Sequence, residues 1–467
     1  MILLASSLFL REDRKQNERM RPYSPLATLL VASALRERGH EVSFFDATLS
    51  SGLEEFADKL REAKPAIVGI LEDNFNFLTK MCTVRTRELT LAMVSAARAE
   101  GCRVAVNGSD ASDHPELYLQ AGADAVLPGE ADVSFLALVD AWSGAADAEL
   151  STIAGLMLAD GNGGVVRTAA SHSVKDLDAL PLPAWDLVDV ERYRTAWTDA
   201  HGRLSWNMIS SRGCPYGCNW CAKPIFGRRY TQRSPENVAN EIAQLRATVR
   251  PDHIWFADDI FGLTAKWMTK FAEEVVARGV RTPFMIQCRA DLLTPDVVAA
   301  LAAAGAEEVW LGVESGSQRI LDAMDKGTTV DEVRDATRAL KAHGIRACWF
   351  LQLGYPGEMW EDLLLTRDLV RAERPDDVGV SVAYPLPGTK FHAMVHKQLG
   401  ARQNWQHTDD LAMLFHGTYS SEFYRQLRDV VHEEVRTGAP NDRRWTELAN
   451  AEWSHRSPEP LLVAASG

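Results

Sequence analysis

The chain has 467 residues, more than one hydrophobic core usually serves, so two or three domains are expected. With 46% hydrophobic and 24% charged residues it is neither a disordered nor a fibrous protein. Fifty Lys and Arg against 64 Asp and Glu leave a formal charge of -14, which disfavours a protein built to grip nucleic acid.

Residues 1–9 form the first apolar run. It lacks a basic leader and a small-residue cleavage site and runs into Arg11-Glu12-Asp13-Arg14-Lys15, so it reads as a buried strand, not a signal peptide. Further short apolar runs follow at 41–45, 66–71, 103–107 and 123–127. Helical spacing between them covers 26–38, stopped at Gly39, and 86–99, stopped at Gly101. This alternation predicts a doubly wound parallel α/β domain over 1–142. Residues 143–200 read as a connector, with a turn at Gly161-Asn162-Gly163-Gly164 and an extended Leu180-Pro181-Leu182-Pro183. From 201 to 392 six strand–helix units return, with strands at 206–210, 253–257, 284–289, 308–313, 347–353 and 379–383. Six units fall short of a closed eightfold barrel, so a partial (β/α)6 barrel is expected. Residues 393–467 read as a small helical cap, with Ser421 as an N-cap. Its aromatic and apolar residues read first as core; a lid over the barrel mouth would instead use Trp405, His407, His416 and Tyr419. No run reaches the roughly 20 apolar residues of a membrane span.

The sharpest local feature is Cys214-Pro215-Tyr216-Gly217-Cys218-Asn219-Trp220-Cys221, just after a predicted strand. An odd total of seven cysteines, three of them in this loop, points to a reducing cytoplasm and a bound metal, not to disulfides. Three thiolates without a nearby fourth leave one coordination position open. Zinc and an iron–sulfur cluster both remain compatible with such a donor set.

Other strand ends carry further motifs: Phe256-Ala257-Asp258-Asp259-Ile260-Phe261, Gln287-Cys288-Arg289-Ala290-Asp291, Gly312-Val313-Glu314-Ser315-Gly316, Gly354-Tyr355-Pro356-Gly357-Glu358 and Tyr384-Pro385-Leu386-Pro387-Gly388-Thr389. With C-x3-C-x2-C, this series resembles the radical S-adenosylmethionine (SAM) superfamily. The resemblance implies a [4Fe-4S] cluster on Cys214, Cys218 and Cys221 whose fourth iron chelates SAM, and reductive cleavage of SAM to a 5′-deoxyadenosyl radical. It places Asp258 at the SAM amine, Arg289 at the carboxylate, Glu314 and Ser315 at the ribose or amine, and Trp220 at the adenine. Gln352 lines the substrate side.

A doubly wound domain ahead of such a barrel is similar to the cobalamin-binding radical SAM group, which includes radical C- and P-methyltransferases and the anaerobic magnesium-protoporphyrin cyclase. The first domain is then a Rossmann-like cobalamin-binding domain. The matching stretches are 23–30, 37–42, 108–114 and 122–130, and the loop 71–77 is the candidate for the lower face of the corrin; together they nominate Pro25, Leu26, Asp73, Asn74, Ser109, Asp110, Gly129 and Glu130 as cobalamin contacts. The D-x-H-x-x-G string that supplies a cobalt-binding histidine is absent, and His114 reads as an exposed loop residue. The resemblance implies a methyltransferase that moves a methyl from methylcobalamin to a substrate carbon or phosphorus radical. A cyclase or rearrangement enzyme with the same cofactors is the alternative; a transfer-RNA methylthiotransferase and a non-catalytic iron–sulfur protein fit less well. The implied partners are a small-molecule or lipid substrate and an external electron donor such as flavodoxin or ferredoxin, without nucleic acid.

Overall fold

The computed structural model describes residues 1–145, 149–221 and 225–457. The first sheet pairs Ile2–Ala5 in parallel with Val42–Phe45 on one side and Ile67–Leu71 on the other. Arg103–Asn107 and Ala125–Leu127 extend it, also in parallel. These strands are apolar almost throughout because helices cover both faces. Leu26–Glu37 and Asp132–Trp142 bury Val31, Leu35, Phe135 and Val139 against one face. Leu53–Ala63, Val84–Ala99 and Pro115–Gln120 bury Phe56, Leu89, Met93 and Tyr118 against the other. The hairpin Met157–Ala159 with Val165–Arg167 turns where the glycine-rich stretch predicts and pairs antiparallel onto the fifth strand through Val126 and Met157.

The first strand is shorter than the expected 1–9. It stops at Ala5, where Ser6 turns the chain: its Oγ accepts from Ala47 N at 3.0 Å. Residues 6–10 stay buried, but Asp13 then caps an unexpected helix, Arg14–Arg19, by accepting from Gln16 N at 3.1 Å.

The second sheet has six parallel strands in sequence order: Ser205–Met208, His253–Phe256, Phe284–Cys288, Ala306–Glu314, Arg346–Leu353 and Asp377–Val382. Consecutive strands pair with their neighbours and the first does not meet the last, which makes an open partial barrel. Trp206, Phe256, Phe284, Leu311 and Trp349 belong to its core.

The C-terminal helices are Ser421–Thr437 and Asp442–His455. The N-cap is Ser420, whose Oγ accepts from Phe423 N, one residue before the expected Ser421; Ser421 Oγ accepts from Met413 N instead. Residues 399–420 are not helical as expected but run as a strap against the first domain. Its Thr408 bonds Asp13 and Gln16, and the Trp405 carbonyl accepts from Val84 N at 2.9 Å. Those long-range bonds outweigh the local helical periodicity. No helix among the described residues is long and apolar enough to cross a membrane.

Candidate functional site

The carboxyl ends of the two sheets face each other, the edge where parallel α/β sheets place their ligands. Phe75, after the third strand of the first sheet, stacks on Phe226 of the barrel with centroids 5.1 Å apart. Lys80 forms a buried ion pair with Asp259, and Arg212 grips Asp132 at 2.9 and 3.0 Å. Between them lies a narrow cleft bordered by Asn74, Phe75, Asn107, Glu130, Arg212 and Phe226.

The cysteine loop leaves the first barrel strand through a tight base. Gly213 has φ +80°, and a Cβ there would lie 2.1 Å from the Arg229 carbonyl, so only glycine fits. Ser211–Arg212 pairs antiparallel with Thr231–Gln232 to close that base. Asn219 fastens the top. Its N–H and Nδ2 donate to the Met324 and Ala323 carbonyls at 3.0 and 2.8 Å, and its Oδ1 accepts from Tyr355 Oη at 3.0 Å. Its carbonyl accepts from Phe391 N at 3.0 Å.

Cys214, Cys218 and Cys221 are half-buried and not in disulfides, whereas Cys82, Cys102, Cys288 and Cys348 are buried. Burial pushes the Cys288 thiol up to about 12 and raises the other three buried thiols, so those four are poor metal ligands. Among the described residues no three ligating side chains already converge on one point; the three loop thiols share a segment rather than a finished cage. The chemistry of that donor set fits an iron–sulfur cluster.

Several predicted SAM residues gather at this loop. Arg289 lies 3.7 Å from the Tyr216 ring centroid and donates to the Lys326 and Gly327 carbonyls at 2.7 and 2.9 Å. Glu314 ends its strand at φ +63° and holds Lys326 at 2.8 Å. Burial opposes the Lys326 charge, but Glu314 and then Cys218 keep the ammonium pKa above its ordinary value. Asp258 takes hydrogen bonds from Ser210 N, Ser210 Oγ and Ser211 Oγ, which tie the ends of the first two strands together. Burial raises its carboxyl to about 6. Ser315 Oγ accepts from Ser317 N at 3.2 Å. Trp220 Nε1 and Gln352 Oε1 are buried without partners. Nothing brings Gln352 into contact with the Arg289–Tyr216 group.

Across the cleft the nominated cobalamin contacts divide. Pro25 and Leu26 begin the helix Leu26–Glu37, and Asp73 Oδ1 accepts from Ala27 N at 3.2 Å in that first turn. Burial raises Asp73 to about 6 against these backbone bonds. Asp110 is consumed by Arg87 and by Tyr118 Oη at 2.7 Å. Glu130 takes Val174 N at 3.0 Å, and the Gly129 carbonyl accepts from Asn107 Nδ2 at 3.0 Å. Asn74 Oδ1 and Ser109 Oγ remain buried and unpartnered. Beside them Glu72 lies buried with hydrogen bonds from Ser7 and the Ser109 backbone, and the unpartnered Asn74 and Ser109 oxygens fit a polar cofactor. His114 is half-buried rather than an exposed loop residue, and burial lowers its pKa.

Sequence reasoning missed Lys80, Asn219, Lys326 and Tyr355. Asn219 stood inside the quoted cysteine motif and Tyr355 inside the glycine–proline motif, but their mutual contact spans 136 residues. The strap Tyr419 and Trp405 are structural: Tyr419 Oη donates to Glu452 at 2.8 Å and Trp405 Nε1 to the Ala412 carbonyl at 2.8 Å.

Comparison with known proteins finds two family profiles on the chain. The radical SAM superfamily profile matches residues 208–370 and the B12 binding domain profile matches 20–139. An uncharacterized methyltransferase of Pyrococcus horikoshii is 28% identical over 387 residues, 82% of this chain and 81% of that one. The anaerobic magnesium-protoporphyrin IX monomethyl ester cyclase of Rubrivivax gelatinosus is 27% identical over 376 residues, 78% of this chain and 65% of that one. The solved radical SAM methyltransferase TsrM of Kitasatospora setae shares the fold with TM-score 0.71 at 20% identity, covering 86% of this chain and 77% of that one.

Proposed function

This chain belongs to the cobalamin-binding radical SAM enzymes, and from that premise we propose that it transfers a methyl group to a small-molecule substrate. The observation that carries this reading is the cysteine loop at the carboxyl edge of an open barrel, set against the carboxyl edge of a doubly wound domain. Cys214, Cys218 and Cys221 would hold a [4Fe-4S] cluster, which would supply the electron for SAM cleavage, and bound cobalamin would supply the methyl carrier.

The protein's own part is to hold and orient. Asn219 and the Arg289–Tyr216 stack fix the loop's position before the cluster is seated. Arg289 is paired with Asp291 at 2.9 and 3.2 Å and would turn to the SAM carboxylate by exchanging that partner, and Glu314 and Ser315 offer acceptors for its amine and ribose hydroxyls. Asp258 has its Oδ1 taken by serine hydroxyls, and Oδ2, which accepts Ser210 N at 3.1 Å, has one lone pair left to offer. Trp220 and Gln352 present their unpartnered N–H and oxygen to SAM or substrate. On the cobalamin side, Asn74 and Ser109 keep free polar atoms, whereas Asp73 and Asp110 shape the edge by capping and pairing. The substrate is a small molecule or lipid, and the electron comes from an external flavodoxin- or ferredoxin-type donor in a reducing compartment. The division into 1–142, 143–200, 201–392 and 393–467 describes the working units, the last of them extending past the described residues.

A second reading, cyclisation with the same cofactors, is supported by the Rubrivivax relative. Methyl-labelled SAM separates the two. Anaerobic protein loaded with iron, sulfide and cobalamin, and reduced with titanium(III) citrate so that the cobalt reaches Co(I), is expected to move the label onto the corrinoid and release S-adenosylhomocysteine. A corrinoid that stays unlabelled contradicts methyl transfer.

A further inference from the structure

Side chains alternate along each barrel strand between the surrounding helices and the barrel interior. On the fourth strand Val309, Leu311 and Val313 join the helix-facing core, so Trp310, Gly312 and Glu314 take the inward face. On the fifth, Trp349 Nε1 donates to Thr337 Oγ1 of the covering helix Val330–Ala342 at 3.1 Å, so Phe350 and Gln352 take the inward face. The same alternation turns Met285 and Gln287 inward on the third strand, and Gly379 and Ser381 on the sixth. A closed barrel fills its interior with layers of side chains. Here Met285, Gln287, Gly312, Phe350, Gly379 and Ser381 all keep partial exposure, so the barrel's own side chains do not fill its lumen.

One wall of that lumen is aromatic and fixed. Trp310 stacks on Phe350 with ring centroids 4.7 Å apart and planes 27° apart. Trp310 Nε1 donates to Glu308, which also pairs with Arg346, so the indole is anchored at the amino end of its strand. Both rings lie over Gly379, where a Cβ would stand 3.1 Å from Phe350 and 3.4 Å from Trp310. Tyr23 covers the amino ends of the first two strands: its ring centroid is 4.4 Å from that of Trp255, and its hydroxyl shares a hydrogen bond with Ser205 at 3.2 Å. The other end of the lumen lies beneath the SAM residues. Gly312 stands between Trp310 and Glu314 on one face, and a Cβ there would lie 2.6 Å from Lys326 Nζ. At that end Gln352 Oε1, two residues beyond Phe350 on the same face, is buried without a hydrogen bond.

We propose that the lumen seats a planar aromatic substrate whose ring lies against the Trp310–Phe350 wall and whose N–H or O–H donates to Gln352 Oε1. The inference rests on the methyl-transfer reading above and names the class of substrate for it. Aromatic walls favour a flat π-surface through offset-stacked and edge-to-face contacts. A buried acceptor left unmet penalises any ligand without a donor. A flexible alkyl chain answers neither feature. Phe350 and Gln352 are therefore specificity-determining residues, the first for the ring and the second for its donor.

The test titrates the full chain, loaded anaerobically with iron, sulfide and cobalamin, with three probes read by ligand-observed NMR. Indole carries a ring N–H, benzothiophene has the same shape without one, and 1-octanol is flexible. The wild type is expected to bind indole about tenfold more tightly than benzothiophene, the effect of one hydrogen bond, and both more tightly than octanol. This comparison needs no variant to fold. Gln352→Leu is expected to erase the indole preference while still binding benzothiophene. Phe350→Ala is expected to weaken both aromatic probes about fivefold and to keep their ratio. Saturating SAM is expected to leave indole binding unchanged, because the lumen lies below the nucleoside. A wild type without the indole preference, a preference unmoved by Gln352→Leu, octanol bound as tightly as indole, or displacement of indole by SAM overturns the inference. Transfer of the methyl label from SAM to the corrinoid is read on the same preparation. A protein that labels its corrinoid and ignores indole overturns this inference alone, and one that does neither overturns the methyl-transfer reading with it.

Discussion

Replacing Asn219 by Ala isolates the staple that holds the cysteine loop. The side chain is 7% exposed and makes two bonds, Nδ2 to the Ala323 carbonyl at 2.8 Å and Oδ1 from Tyr355 Oη at 3.0 Å. Tyr355 Oη also reaches the Ala323 carbonyl at 2.9 Å. A phenol has one proton, so after the substitution it turns fully to Ala323 and recovers part of the loss. Two bonds at about 1 kcal/mol each, less that recovery, leave a cost of about 1–2 kcal/mol. The loop's backbone bonds to Met324 and Phe391 survive, so the loop loosens without detaching. The assay is anaerobic reconstitution with iron and sulfide, followed by chelator challenge and by urea unfolding. Iron is expected to leave the variant about tenfold faster, the equivalent of about 1.4 kcal/mol. A variant that keeps its iron as long as the wild type and unfolds at the same urea concentration refutes the idea that Asn219 positions the loop.

Two further perturbations probe the frame around the site. Lys80→Met leaves Asp259 buried without its cation, and a loss of about 2–4 kcal/mol is expected for so enclosed a pair. A urea double-mutant cycle with Asp259→Asn should return a coupling above about 1 kcal/mol, and strict additivity would contradict the pairing. Glu358 is fully buried beneath Gly354, and burial raises its carboxyl to about 8. Its native form therefore keeps a proton that the unfolded chain loses above about pH 4.5, so this residue lowers stability as pH climbs from there to 8. Glu358→Gln removes that drain, and its stability relative to wild type should grow by about 1.4 kcal/mol per pH unit across the window. Urea midpoints at pH 5, 6 and 7 that stay parallel would show that Glu358 ionises freely.

Strand positions were readable because parallel strands covered on both faces must be apolar throughout, so the runs near 67–71, 103–107 and 346–353 stand out from their amphipathic helices. The cysteine loop was readable because its chemistry is local to eight residues. Partnerships across long separations were not. Lys80 and Asp259 lie 179 residues apart, and each reads alone as a solvated charge. Asp73 and Asp110 lie in the loops their motifs nominate, but residue type does not tell a ligand contact from a helix cap or an arginine partner. Glu72 stands in the nominated loop 71–77, but its burial against Gly108 and Asp110 appears only in the fold. The strap misled for a related reason: Trp405 and Thr408 fall at helical spacing, yet their partners Val84 and Asp13 belong to the other domain.

The most direct measurement is the fate of SAM. Full-length protein loaded anaerobically with iron, sulfide and cobalamin, then given SAM and dithionite, is expected to accumulate 5′-deoxyadenosine. Cys218→Ala treated identically should hold no cluster and form none. A wild-type protein that carries its cluster and still yields no 5′-deoxyadenosine would contradict radical SAM chemistry in this chain.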